Sequence, residues 1–223
     1  MIITIHQPEF LSYLGFFDKL SKAEGFIIAD SFQVKKNYYD NRNKIRANNP
    51  NGWHWVGIPI SHDNHKSFRE VEVAKPYTWH TKILNAIEQN YHNSPYFDQY
   101  FPRIKEIICK KYDTLFDYNF ELLCQMLIWF DIRTPFLGFT SSLNLISETG
   151  SDKCLEIRQK VGADTYLSGS SGKDYLNLSL FEKNNIKVVF HEFVHPIYKQ
   201  QYSPFIPGMS GIDFLFNCGG SVA

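Results

Sequence analysis

Paired cysteines, a long apolar run and an excess of charge of one sign are all missing from this sequence, and each absence removes a class of protein. Cys109, Cys124, Cys154 and Cys218 form no C-x-x-C pair and fall at no zinc spacing with histidine. That excludes a structural zinc site and points to free thiols in a reducing compartment. No apolar stretch approaches the roughly 18–20 residues that span a bilayer, and the opening residues carry no basic and apolar signal segment. The expected location is the cytoplasm, without membrane insertion. Lysine plus arginine and aspartate plus glutamate number 23 each, so no long-range field recruits nucleic acid. Catalytic signatures are missing too. Gly169-Ser170-Ser171-Gly172-Lys173-Asp174 lacks Walker A spacing, the same glycines and serines are out of register for a G-x-S-x-G nucleophile elbow, and no ligand cluster specifies a metal.

What the sequence does contain is an α/β order. With 223 residues the chain can bury one sizeable core, and the expected organisation is a single domain, 1–223. Residues 2–5 read as a buried strand, 14–23 as a helix and 25–29 as a second strand ending at Asp30, a compact βαβ unit. A polar stretch follows whose Asn48 to Gly52 cluster marks a turn between strands at 42–45 and 53–59. Val71 and Val73 flank Glu72 in a short alternating strand. Helices are expected at 77–91, 100–111 and 115–130, so that 79–130 forms a helical insertion. Thereafter strands at 131–138, 163–167 and 187–192 alternate with helices at 152–161, ended by Gly162, and 175–184, before a last helix near Ser210 to Asn217. The fold class that follows is α/β, with a three-layer, mostly parallel sheet and a helical insertion. Aromatic residues make up 16% of the chain, most of them read as core or surface tyrosines and phenylalanines.

Several separated motifs resemble one family, the WbqC-like proteins. They are HQPEFLSYLGFFDKL at 6–20, ADSFQVKK at 29–36, DNRNKIR at 40–46, Trp79-His80, GADTYLSGSSGKDYL at 162–176, HPIYKQ at 195–200 and FIPGMSGIDFLFN at 205–217. The resemblance covers essentially the whole chain. It implies a bacterial cytosolic component of gene clusters for surface polysaccharides, O-antigen included, and for other secondary products. Departures are Ser12-Tyr13 where the family commonly has Pro-Trp, Ala29 where it prefers an acid, and Gly169-Ser170-Ser171-Gly172 where it has Gly-Pro or Gly-Gly. They bear on loop shape and remove no acid, base or cation.

A site is expected at the carboxyl ends of the strands, where open α/β sheets bind ligands. His6 there is the candidate proton shuttle, since imidazole titrates near neutrality, and Asp30 after the second strand is the second catalytic candidate, either part of the site with Lys19 or a buried pair with it. Gln7 and Lys19 are placed beside them as substrate-binding groups. In the polar stretch Gln33, Lys36, Asn41 and Arg42 are expected to read a sugar or phosphate through amide and guanidinium groups, with Arg42 and Lys44 on one ribbon face and Asn41 and Asn43 on the other. Gly169, Gly172 and Tyr175 are assigned to an anion-binding turn, and Tyr198 and Gln200 to substrate contacts. Ser210 and Asp213 read as a capping box. Two classes of function fit. One is a transferase that binds an activated, phosphate-containing donor or a nucleotide-linked sugar and moves an acyl or aminoacyl group to an amine. The other is a noncatalytic module that binds a nucleotide sugar or carrier protein. Neither requires a metal, and a nucleotide is the one cofactor the pattern leaves room for.

Overall fold

The computed structural model describes residues 1–61 and 66–220. The chain divides into two compact units, each discontinuous in sequence. One comprises Met1–Gln7, Gly15–Ser31 and Ile132–Val194, the other Pro8–Leu14, Phe32–Asp131 and the segment from His195 onward. The stretch 79–130 lies in the second unit, together with Pro8–Leu14, the residues from Phe32 and the final helix.

The first unit is built on a five-stranded sheet of order β5-β2-β1-β6-β7, parallel at every pairing. Its strands are β1 (Ile2–His6), β2 (Gly25–Ile28), β5 (Phe136–Phe139), β6 (Thr165–Ser168) and β7 (Lys187–Phe190). Their short runs IITIH, GFII, TYLS and KVVF are apolar without alternation, as expected where both faces of a parallel sheet are covered. Helices α1 (Leu14–Ser21), α5 (Gly150–Lys160) and α6 (Leu178–Lys183) supply crossovers, confirming the α/β, mostly parallel reading. From β1 the chain moves outward to β2 and β5, then returns to the other side of β1 at β6 and continues to β7. The direction therefore reverses between β1 and β6, the position at which such sheets open a crevice for ligands.

Local sequence explains the details. Gly25 lets β5 approach closely, since a Cβ there would lie 2.5 Å from Leu137 Cδ1. Gly138, with φ +127°, sits where the β2–β5 register shifts between Phe26 and Ile27, a bulge that needs glycine's backbone freedom. Thr149 Oγ1 accepts from Asp152 N to cap α5, and Gly162 follows its end at φ +69°, the stop expected from the sequence. The helix expected over 175–184 starts only at Leu178. Ser170–Asp174 first forms a 3-10 turn, and Gly172 O then accepts from both Tyr175 N and Leu176 N.

In the second unit β3 (Arg42–Arg46) and β4 (Trp53–Gly57) form the expected antiparallel ribbon. Its turn is closed by Ala47 N to Gly52 O and Gly52 N to Asn49 O. Helices α2 (Trp79–Tyr91), α3 (Phe97–Ile108), α4 (Leu115–Trp129) and α7 (Gly211–Cys218) complete the unit around buried Tyr91, Tyr118, Phe97 and Phe216. The strand expected around Val71 and Val73 is reduced to isolated bridges, Ile60 with Val73 and Glu72 with Thr114. Successive residues there pair with different segments, so no ladder extends.

The two glycines of the 169–172 turn are under different constraints. A Cβ on Gly172 would fall 3.1 Å from Leu176 Cδ1 and 3.2 Å from Ser168 Cβ, and closer still to Ser168 Oγ. On Gly169 the nearest atom would be Lys19 Nζ at 3.9 Å. Gly172→Ala is expected to cost about 1–3 kcal/mol through overpacking, and Gly169→Ala to stay within about 0.5 kcal/mol of the parent. Urea unfolding of the two variants checks this, and equal midpoints would refute it.

Candidate functional site

At the carboxyl edge of the sheet the first unit gathers most of the residues expected for chemistry. His6 ends β1, and its ring packs edge-on against Phe16 with centroids 4.5 Å apart. Its Nδ1 lies 2.9 Å from the carbonyl oxygen of Gln7. Enclosure in protein and the nearby charge of Lys19 hold its pKa well below the ordinary histidine value, against a smaller opposing pull from the Gln7 carbonyl. His6 is therefore a neutral imidazole at neutral pH. Lys19 is 3% exposed, on α1, with its ammonium directed toward Gly169 at the end of β6. The turn after β6 and the end of β1 thus flank the reversal point of the sheet.

Asp30 is fully buried two residues beyond β2. Its carboxylate accepts from Thr140 Oγ1 (3.0 Å), Ser141 N (2.9 Å) and Ser141 Oγ (2.6 Å), while Thr140 Oγ1 also accepts from Ser31 N (3.1 Å). These bonds order the Thr140–Leu143 turn after β5. Gly172 is buried inside the 3-10 turn, and Tyr175 is exposed just past it, with its carbonyl accepting from Ser151 Oγ. A further pair lies on the same edge and went unnoticed in the sequence. His191, one residue after β7, has Nε2 2.5 Å from Asp18 Oδ2, which also accepts from Lys22 Nζ at 2.7 Å.

The remaining candidates belong to the second unit. Asn41 is fastened at both ends of its amide, Nδ2 donating to Ile58 O (2.9 Å) and Oδ1 accepting from Asn37 N (3.0 Å). Asn43 likewise donates to Phe10 O and Leu11 O. Arg42 instead lays its guanidinium over Trp55, 4.2 Å from the ring centroid. Lys36 and Gln33 are exposed on the approach to β3, Gln33 bridging to Ser67. Tyr198 Oη and Gln200 Nε2 both donate to Asp213 Oδ2, at 2.6 and 2.8 Å. Tyr91 Oη donates to Asp213 Oδ1 at 2.8 Å. The capping-box expectation therefore holds for one partner. Ser210 Oγ accepts from Ile212 N to cap α7, whereas the Asp213 carboxylate turns inward to the two tyrosines and the glutamine.

Asp40 also escaped the sequence reading. It is 3% exposed, its Oδ2 accepts from Lys35 N at 2.6 Å, and burial pushes its pKa up to about 6. Nothing in YYDNRN marks that aspartate as the buried one. Among the described residues no group of three or more His, Cys, Asp or Glu can hold a metal ion, and no helix is long and apolar enough to cross a membrane.

Comparison with known proteins bears on the whole chain. The sequence profile of the WbqC-like protein family matches residues 7–222. A protein of Mycobacterium tuberculosis (strain ATCC 25618 / H37Rv), described as uncharacterized, is 25% identical over 225 residues, covering 97% of this chain and 94% of its own. No solved structure matches the chain.

Two titrations test this electrostatic picture. The His6 ring should give the NMR signature of a neutral imidazole at pH 6, where an exposed histidine is largely protonated, and Lys19→Met should raise its pKa. A His6 titrating at the ordinary value in both proteins would contradict it. For Asp40 the folded state keeps its proton longer than the unfolded chain. Its contribution is therefore fully present below pH 3.8 and is lost as pH rises to about 6, at a cost of ~3 kcal/mol. Asp40→Asn should flatten the fall in stability over that window, and parallel pH profiles for the two proteins would show the assignment wrong.

Proposed function

We propose that the chain, which belongs to the WbqC-like protein family, is a group transferase of bacterial surface-glycan or secondary-metabolite biosynthesis. It moves an acyl or aminoacyl group from a phosphate-containing donor to an amine, acting in the cytoplasm. The observation that carries this reading is the placement of His6 beside the buried Lys19 ammonium, at the strand ends where the sheet reverses direction, where burial and that charge hold the imidazole pKa below its ordinary value. A general base must be unprotonated at working pH, and a buried cation next to it suits a group that leaves as an anion. In the transfer, the amine nitrogen attacks the acyl carbon and a C–N bond forms. The C–O bond to phosphate breaks, the phosphate oxygen leaves with the electron pair, and His6 takes the proton released by the nitrogen. Lys19 balances charge on the leaving phosphate, next to Gly169. Asp30 fixes the adjoining turn, and Gln7 and Tyr175 border the substrate. The anion-holding role given to Arg42 and Lys36 belongs to the ribbon and its approach.

A second reading is a noncatalytic module for a nucleotide sugar or a carrier protein. It is favoured by the motif residues whose polar atoms the protein itself engages, Asn41, Tyr198 and Gln200 among them.

A thermal-shift screen with nucleotides, nucleotide sugars and acyl phosphates separates the two. A phosphate-bearing ligand at millimolar concentration should raise Tm, and Lys19→Met should abolish the shift. With the ligand so found, His6→Ala should keep binding yet lower amine acylation by about 100-fold or more. Full acylation by His6→Ala would remove the catalytic role, and binding with no acylation by the parent protein leaves the module as the function.

A further inference from the structure

We infer that one face of the β3–β4 ribbon is a recognition surface for a phosphate ester carried on a ring, a nucleotide base or a sugar. The inference rests on the phosphate-bearing donor proposed above and adds Lys44, Trp53 and Trp55, to which no role has been given. The register sets Lys44 opposite Trp55 and Arg46 opposite Trp53, and side chains alternate between faces along a strand. Arg42, Lys44, Trp53 and Trp55 therefore share one face. The other is committed to the protein: Asn43, Ile45 and Val56 are buried, with Asn43 bonded to Phe10 O and Leu11 O.

The shared face has a particular chemistry. Arg42 lies 4.2 Å over Trp55, Lys44 Nζ 4.3 Å over Trp53 and 5.4 Å over Trp55, and the two indoles meet at 86° with centroids 5.7 Å apart. Tyr39 extends the row, 5.6 Å from Trp55. Both tryptophans are only half-buried. Among the described residues neither Arg42 nor Lys44 has a carboxylate oxygen within 4 Å, and Arg42 Nε, itself buried, has no hydrogen-bond partner. The chain has net charge zero, and several cations elsewhere are paired. Arg103 and Lys110 meet Glu121, Lys75 meets Asp113, and Lys22 meets Asp18.

A guanidinium stacked on an indole keeps its N–H fork pointing outward along its own plane. That fork matches two oxygens of a phosphate. Neighbouring aromatic rings offer a surface on which a base or the apolar face of a sugar can stack. A ligand with phosphate alone would leave the rings unused, and a neutral sugar would leave the cations unused. A ring joined to a phosphate uses both.

Isothermal titration with UDP, glucose 1-phosphate and inorganic diphosphate tests this on the intact protein. A ring-bearing phosphate should bind more tightly than diphosphate, and rising ionic strength should weaken it. Arg42→Met and Trp55→Leu should each raise Kd about tenfold, as should Lys44→Glu, whose site at the half-exposed surface leaves the fold intact by circular dichroism. Binding of UDP alone assigns the ring to a base, and of glucose 1-phosphate alone to a sugar. Unchanged affinity in Arg42→Met and Lys44→Glu overturns the inference, as does diphosphate binding as tightly as the ring-bearing ligands or a single-stranded oligonucleotide outcompeting them. If Lys19→Met abolishes binding while the ribbon variants do not, the transferase reading stands and the ribbon surface falls. Loss in the ribbon variants with Lys19→Met unaffected gives the converse.

Discussion

The hydrogen-bond ladder around β1 is the constraint on which the first unit depends. β1 pairs with β2 on one side and β6 on the other, and Thr4 Oγ1 adds a bond to Leu167 O at 2.9 Å. A strand with neighbours on both edges and cover on both faces admits few polar side chains within its length. Polar residues can gather only where the ladder ends, and they do so at His6, Asp30, Ser168 and His191. The same ends are where chain segments must be tied together, so several of these groups hold structure. Asp30 fastens the turn after β5, and the main chain of His191 bonds to Ser168 O. His6 is different in that its charge state, more than its bonds, is what the surroundings set.

The second unit has its own buried centre, the Asp213 carboxylate. Desolvation raises its pKa, while bonds from Tyr198, Tyr91 and Gln200 and the charge of Arg46 oppose that rise. Arg46 is itself 1% exposed and donates to the carbonyls of Gly52, Tyr202 and Pro204. A buried charge left unpaired costs several kcal/mol, so removing any one of these partners would be felt by the others. Tyr198 and Gln200 thus have a reason to occupy their positions in HPIYKQ that requires no ligand. The network also anchors the irregular segment from Tyr198 to Ile206, where Gln200 bonds Ile206 at both N–H and C=O.

What could be read in the sequence follows from how local each signal is. The apolar runs of β1, β2, β6 and β7, the Asn48 to Gly52 turn and the cap at Ser210 depend on neighbours in the chain, and their elements stand where expected. The alternation placing Arg42 and Lys44 apart from Asn41 and Asn43 was legible for the same reason. The tryptophans facing them were open to the same argument, since Trp53 and Trp55 have the i, i+2 spacing of one face. Asp213 was legible only as a cap, because its partner Tyr91 lies 122 residues away. Asp40 gave no signal, since burial of an aspartate in a polar stretch is decided by what folds over it. The boundary of α6 was missed because a 3-10 turn on Gly172 O competes with the first helical turn.

A charged lysine and a neutral histidine side by side are coupled. Lys19 lowers the proton affinity of His6 through its positive charge, so anything that offsets that charge strengthens the base. In the transfer proposed here the offsetting group is the donor's phosphate, bound at the ammonium in front of Gly169. His6 would then be a weak base in the empty protein and a stronger one once the donor is in place. The proton from the amine would be accepted when there is an acyl group to receive that amine. His6, placed against a cation, is therefore the candidate for a base whose strength depends on an anionic ligand.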